Sequence, residues 1–276
     1  MNRAREVTWN PLTGCTPISE GCEHCYARRM ANRLRGRCGY PANDPFRVVV
    51  HQERIEEPLR WRRPKMVFVC SMGDLFHPDV SFEDITRIFD VMAAWRWPNK
   101  AAERRGEEED LVDPGHTFQV LTKRPERIHE WLWWLGEHWP GESPININLQ
   151  ATETFGPNIW VGVTTENQRC AKKRIPVLLQ VPAAVRFVSL EPLLGSMDQL
   201  DLTGIDWVIV GGERGPGARP MDVEWVRSVR DQCVAAGVPF FFKRWRDGSR
   251  LLDGQTWEQY PILVKKQQVT GHEPWF

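Results

Sequence analysis

The chain has 276 residues, enough for one large core or two modest ones, and its 36 basic residues balance 36 acidic ones. That balance excludes a global field drawing the protein onto nucleic acid or membrane, so any such binding has to come from a local patch. Seven cysteines, an odd number at this length, argue against a disulfide framework. Met1-Asn2-Arg3-Ala4-Arg5-Glu6 lacks a signal-peptide core and no apolar run is long enough to span a bilayer, so a soluble, cytoplasmic protein with no membrane partner is expected.

Residues 1–40 carry the most specific pattern, Cys15, Cys22 and Cys25 in Thr13-Gly14-Cys15-(x6)-Cys22-Glu23-His24-Cys25-Tyr26. A closed structural zinc site takes four protein ligands. Three cysteines suit a four-iron cluster with one iron left open for an exogenous ligand, because such clusters are held by thiolates. The turn-rich stretches before Cys15 and Cys22 form a loop able to aim the thiols inward. After Cys25 a helix is expected, with Ala27, Met30, Ala31 and Leu34 on one face and Gly36 at its end, its backbone N–H groups favouring thiolate charge. The alternative is a structural zinc site completed by Cys38 or His24. Cys70, Cys170 and Cys233 read as ordinary thiols.

Strands are expected at Met66–Cys70, Thr117–Leu121, Ile159–Val163, Val185–Ser189, Trp207–Val210 and Pro239–Phe242, with a seventh near the cysteines. Such near-continuous apolar runs suit a parallel sheet covered on both faces. Ser81 caps a helix carrying Phe82, Ile85, Ile88, Phe89 and Met92, and a second helix is expected over Arg127–Trp139. Asp222 caps a third, with Val226, Val229 and Cys233 on one face and Gly237 as its stop. Residues 98–114 form a charged insertion, and 136–158, with its Gly, Pro and Asn, reads as a loop able to cover a site. The alternation argues for one α/β domain, a parallel partial or near-complete (β/α) TIM-type barrel; an open doubly wound sheet is the other reading.

In a barrel the loops after the strands build the site. The strand ends carry Asp74, Lys123, Glu166, Glu191, Glu213 and Lys243, and His77 is the one histidine placed to act as acid or base. Lys123-Arg124 and Lys243-Arg244-Trp245 suit a nucleotide or nucleic-acid substrate through phosphate contact and stacking. Arg28, Arg29, Arg33, Arg35 and Arg37 make a basic helix face that reads either as a solvated surface or as part of such a site. The Trp131–Trp139 run reads mostly as packing.

Trp9-Asn10-Pro11-Leu12-Thr13-Gly14-Cys15-Thr16 and Gly21-Cys22-Glu23-His24-Cys25-Tyr26-Ala27, with Ser71-Met72-Gly73-Asp74-Leu75-Phe76-His77, Phe187-Val188-Ser189-Leu190-Glu191-Pro192 and Val210-Gly211-Gly212-Glu213, resemble the phage- and prophage-associated radical SAM-like family, often catalogued as a phage gene product or a domain of unknown function. The resemblance covers nearly the whole chain. It implies a [4Fe–4S] cluster on Cys15, Cys22 and Cys25, S-adenosylmethionine on the open iron, and a 5′-deoxyadenosyl radical that takes hydrogen from substrate. It further implies cofactor contacts from Tyr26, Ser71, Gly73, Asp74, Thr122, Gly211 and Gly212, and catalytic roles for Lys123, Glu191, Glu213 and His77. The implied substrate is a nucleobase, nucleotide or DNA, the implied partners a reductant such as flavodoxin and a three-cysteine-motif partner protein. The first cysteine spacing is six where mainstream radical SAM enzymes have three, and His24 stands where they carry an aromatic. Without SAM chemistry, the rival reading is a metal-stabilised nucleic-acid-binding or partner protein.

Overall fold

The computed structural model describes residues 5–94, 115–138 and 143–261. Seven parallel strands lie side by side in chain order, β1 (Arg5–Trp9), β4 (Lys65–Val69), β5 (Thr117–Thr122), β6 (Ile159–Thr164), β7 (Val185–Leu190), β8 (Trp207–Gly211) and β9 (Phe240–Arg244). Two-stranded ribbons are added by β2 (Leu12–Thr13) with β3 (Val49–Val50) and by β10 (Leu251–Leu252) with β11 (Gln255–Thr256). The sheet curls into a half-barrel flanked by helices, a partial barrel that does not close. A near-complete barrel and a doubly wound sheet are both set aside, because the strand order never reverses and β1 and β9 remain opposite edges.

Side chains alternate across each strand. One face, with Val67, Val69, Phe118, Val120, Val161, Val163, Val188, Val210 and Phe242, packs under the helices together with Ile88, Phe89 and Trp131. The concave face gathers Trp160, Val185, Phe187 and Trp207, with Met66, Leu121, Ile209, Phe241 and Tyr260 against them. The chain after β11 runs antiparallel to β9, and the Tyr260 hydroxyl then donates to Glu6 Oε1 of β1 at 3.1 Å. One side chain thus bridges the two edges where the strands begin, and leaves the ends where they finish open.

Helix α3 (Phe82–Ala94) starts as its sequence requires: Ser81 Oγ accepts from Asp84 N at 3.1 Å and donates to Asp84 Oδ2 at 3.0 Å. The expected helix over Arg127–Trp139 is α4 (Glu126–His138), while Trp139 lies outside the described residues, as do 98–114. α7 (Val223–Ala236) is capped by Asp222 and ended by Gly237 at φ 67°. Around the cysteines, α1 (Tyr26–Arg33) buries Ala27 and Ala31, whereas Met30 points outward at 40% exposure. A short helix α2 (Gln52–Ile55) follows β3.

The covering loop expected over 136–158 is corrected in part. Pro144–Thr152 forms a helix, α5, capped by Ser143 and burying Ile145 and Asn148, and residues 139–142 lie outside the described set. Helix α6 (Gln168–Leu178), capped by Asn167, has no counterpart among the expected elements.

Gly162 shows how tightly the concave face is filled. A Cβ there would stand 2.5 Å from the Phe187 ring, itself fully buried. Gly162→Ala should therefore cost about 1–3 kcal/mol through overpacking. A thermal melt reads this directly, and an unshifted midpoint would mean the ring has room to move.

Candidate metal centre at the ends of the strands

The cysteine loop leaves β1 and is pinned at once to the turn after β4. Asn10 Oδ1 accepts from Ser71 Oγ at 3.1 Å and from Met72 N at 3.0 Å, and Gly14 N donates to Met72 O at 2.9 Å. Gly14 has φ 92°, and a Cβ on it would lie 2.0 Å from the Arg47 carbonyl oxygen, so no side chain fits before Cys15. Gly73 faces it across a parallel bridge, where a Cβ would meet Gly14 O at 2.9 Å. Cys22 then ends a short 3-10 turn (Glu20–Cys22), and Cys25 is the residue before α1. All three thiols are free and half-buried.

Three carboxylates from three strand ends hold this loop, each through a cation. Asp74, after β4, binds Arg124 Nη1 at 2.9 Å; Arg124 reaches Cys15 Sγ at 3.5 Å and Thr16 O at 2.8 Å. Glu166, after β6, binds Lys123 Nζ at 2.6 Å and Arg174 Nη1 at 2.7 Å; Lys123 reaches Cys22 Sγ at 3.5 Å and Ser19 Oγ at 3.3 Å. The Ser19 hydroxyl also donates to Glu166, and a Cβ on Gly21 would stand 2.3 Å from Glu166 Cγ. Glu213, after β8, is gripped by Arg219 at 2.6 and 3.0 Å, and Arg219 extends to Glu23 Oε2 at 3.1 Å and Glu20 O at 3.0 Å.

The electrostatics separate the thiols. Burial, with Asp74 nearby, pushes Cys15 up to about 11 despite Arg124. Burial also acts to raise Cys22, but Lys123 and hydrogen bonds from Ile18 and Ser19 outweigh it and bring that thiol below its usual value. Glu166 follows the same logic: burial opposes its charge, and Lys123 and Arg174 overcome it, holding the carboxyl at about 2.

The sequence profile of the family described as "Protein of unknown function (DUF5131)" matches residues 3–100 and 111–261. The chain belongs to the DUF5131 family. No curated protein and no solved structure matches it.

In this DUF5131 chain the residues singled out from the sequence divide into two groups. Asp74 is spent within the fold: besides Arg124, its oxygens accept from Thr122 Oγ1 at 2.7 Å, Phe76 N at 3.1 Å and Lys123 N at 3.2 Å. His77 is equally committed. Its Nδ1 accepts from Asp79 N at 3.1 Å, so the ring proton sits on Nε2 and is given to Thr16 Oγ1 at 2.8 Å. Burial and then Arg124 lower its pKa, keeping the ring neutral. Lys123 and Glu213 serve the loop as described.

Glu191 and Lys243 form the other group. They pair at 2.6 Å with 24% and 39% of their side chains exposed, and neither contacts the cysteine loop. Gly211 makes room for Glu191, since a Cβ there would lie 3.2 Å from its carboxyl carbon, and Gly212 N donates to Arg244 O at 2.9 Å. The Tyr26 hydroxyl donates to Ser71 O, while the residue stays 55% exposed beside Cys25. Cys38, the candidate fourth zinc ligand, is exposed, and its carbonyl accepts from Arg54 Nη2 at 2.9 Å. His24 lies against Gly217. Cys70, Cys170 and Cys233 are buried.

Sequence reasoning missed Arg174, Arg219 and Ser19; the first two sit on elements that only the fold brings to the loop. Among the described residues, no three His, Cys, Asp or Glu side chains are drawn together into a group that could hold a metal ion. The donor chemistry nevertheless suits an iron–sulfur cluster: three free thiols on one pinned loop, with Lys123 beside Cys22 favouring its thiolate and Arg124 beside Cys15. No described helix is long and apolar enough to cross a membrane.

Proposed function

We propose that this chain is a radical SAM-type enzyme in which Cys15, Cys22 and Cys25 hold a [4Fe–4S] cluster and leave one iron for S-adenosylmethionine. The observation that carries this reading is the presentation of three free thiols from a single loop anchored over the ends of parallel strands, two of them facing adjacent cations. When bound, the cluster and SAM supply reductive cleavage to a 5′-deoxyadenosyl radical, with the electron delivered by a reductant such as flavodoxin.

Lys123 favours the thiolate of Cys22, the form that binds metal. Asp74, Glu166 and Glu213 position the loop through their cations and are not available to substrate. Glu191 and Lys243 are, because they face solvent at the open end of the trough. Lys243 can donate to a substrate oxygen or phosphate while Glu191 accepts a proton or orients a ring N–H. Below them Trp160, Phe187 and Trp207 fill the concave face as a buried layer, so the surface offered to a ligand is the rim that carries this charged pair. A nucleobase, carried on a nucleotide or on DNA in a phage or prophage setting, fits that combination.

Anaerobic reconstitution with iron and sulfide, followed by reduction with SAM, should yield 5′-deoxyadenosine, and the electron paramagnetic resonance signal of the reduced protein should shift when SAM is added. Cys38→Ala should retain its iron. A reduced, iron-loaded sample that makes no 5′-deoxyadenosine would overturn the proposal, and iron loss in Cys38→Ala would replace it with a four-thiolate structural site.

A further inference from the structure

A groove of about 460 Å³ opens on the outer side of the cysteine loop, between Cys15 and Thr16 on one wall and α1 on another. Its lining includes Arg28, Arg35 and Arg47 together with Phe46. Arg28 and Asn32 stand one turn apart on α1, and Arg35, in the turn that follows the helix, joins them in the lining. The Arg28 guanidinium lies 5.5 Å from the centre of the Phe46 ring, and Arg35 is held out by bonds to Ala42 O at 2.8 Å and Asn32 Oδ1 at 3.2 Å. Arg33 and Arg37 are exposed nearby in the chain but do not line the groove.

Arg28, Arg35 and Arg47 gather around one groove without neutralising partners. Many other guanidinium groups are matched with acids, as in Arg124 with Asp74, Arg174 with Glu166, Arg219 with Glu213, and Arg227 and Arg230 with Asp253. Among the described residues, Arg28, Arg33, Arg35, Arg37 and Arg47 form no ion pair with a carboxylate. Two acids do line the groove: Asp44, whose Oδ1 accepts from Phe46 N at 3.3 Å, and Asp79, 3.7 Å from His77 Nδ1. They leave an excess of positive charge in a molecule whose formal charge is zero.

We infer that this groove is a docking track for the sugar–phosphate backbone of a single-stranded nucleic acid, which it leads past Cys15 to the mouth of the half-barrel. The inference rests on the catalytic reading above and narrows its substrate to a polynucleotide. Arginines present forked donors to phosphate, and the Phe46 ring lies under the Arg28 guanidinium and steadies that fork in the groove. A strand rather than a duplex fits, because chemistry on a base requires it out of the stack.

The test uses full-length protein, without iron or SAM, and a fluorescent twelve-nucleotide DNA strand. The wild type should bind it with an affinity that falls with salt. The triple variant Arg28→Gln/Arg35→Gln/Arg47→Gln should bind at least ~10-fold more weakly, with the slope of log K against log salt reduced by about 2, near 0.7 for each phosphate no longer neutralised. Arg62→Gln/Arg63→Gln, exposed charges before β4 at the opposite end of the sheet, serves as the charge control and should bind like wild type. Equal losses in both variants, no loss in the triple variant, displacement by polyglutamate at matched charge, or a mononucleotide binding as tightly as the strand would each overturn the inference. Because binding needs neither iron nor SAM, a protein that makes 5′-deoxyadenosine but ignores the strand defeats the groove alone. One that holds the strand but makes no 5′-deoxyadenosine defeats the catalytic reading alone.

Discussion

Glu166→Gln should cost the fold about 3–5 kcal/mol and lower its melting temperature on the order of 10 °C. The Glu166 side chain is 0% exposed, and its two partners, Lys123 and Arg174, are 16% and 6% exposed. Neutralising the carboxylate strands two cations away from water, which is worse than removing the whole group. The same pairing sets an acid dependence. The folded carboxyl sits at about 2 against an ordinary 4.5. Its contribution is therefore complete above pH 4.5 and drains away as the pH falls towards 2, about 3 kcal/mol in all. Denaturant unfolding of wild type and Glu166→Gln should give curves far apart at neutral pH that converge in acid. A variant melting within a degree or two of wild type would show that Glu166 is not the anchor of the cysteine loop.

Cys22 should be alkylated by iodoacetamide roughly tenfold or more faster than Cys15 at neutral pH. Lys123 and the hydrogen bonds of Ser19 and Ile18 keep the Cys22 thiol below its ordinary value of 9, whereas burial lifts Cys15 to about 11. The thiolate fraction at Cys22 then exceeds that at Cys15 by more than about a hundredfold, and the lower intrinsic nucleophilicity of the more acidic thiol returns part of it. Peptide mass spectrometry of metal-free protein reads both rates in one sample. The rate at Cys22 should rise through a midpoint below pH 9, and Lys123→Met should move that midpoint upward. Comparable rates at the two cysteines would remove Lys123 from its role.

Much of the scaffold was readable because its signals are local. The runs around Val67, Val120, Val161, Val188 and Val210 are apolar and β-branched, and each became a central strand. Ser81 and Asp222 announced helices that the backbone then formed. Helix α5 was hidden by Asn146, Asn148 and Gln150, although Ser143-Pro144 is a cap followed by a favoured first residue. Helix α6 was masked by Lys172, Lys173 and Pro176, although Asn167 caps it and Ala171, Ile175 and Leu178 share its buried face. The extent of the barrel was not readable, since closure depends on how strand edges meet, and here Tyr260 spans the gap with a side chain.

Sequence by itself determined the alternation of strands and helices, the thiol triplet and the glycine that precedes it, because each depends on residues a few positions apart. Only the tertiary structure decided which strand-end charges hold the cysteine loop and which stay open to a ligand. Asp74, Glu166, Glu191 and Glu213 look alike in the chain, and nothing near them distinguishes the three whose cations reach the loop from the one that pairs at the rim. The distinction comes from the fold, which sets three of these acids and their cations against the cysteine loop and leaves Glu191 paired with Lys243, partly exposed at the rim.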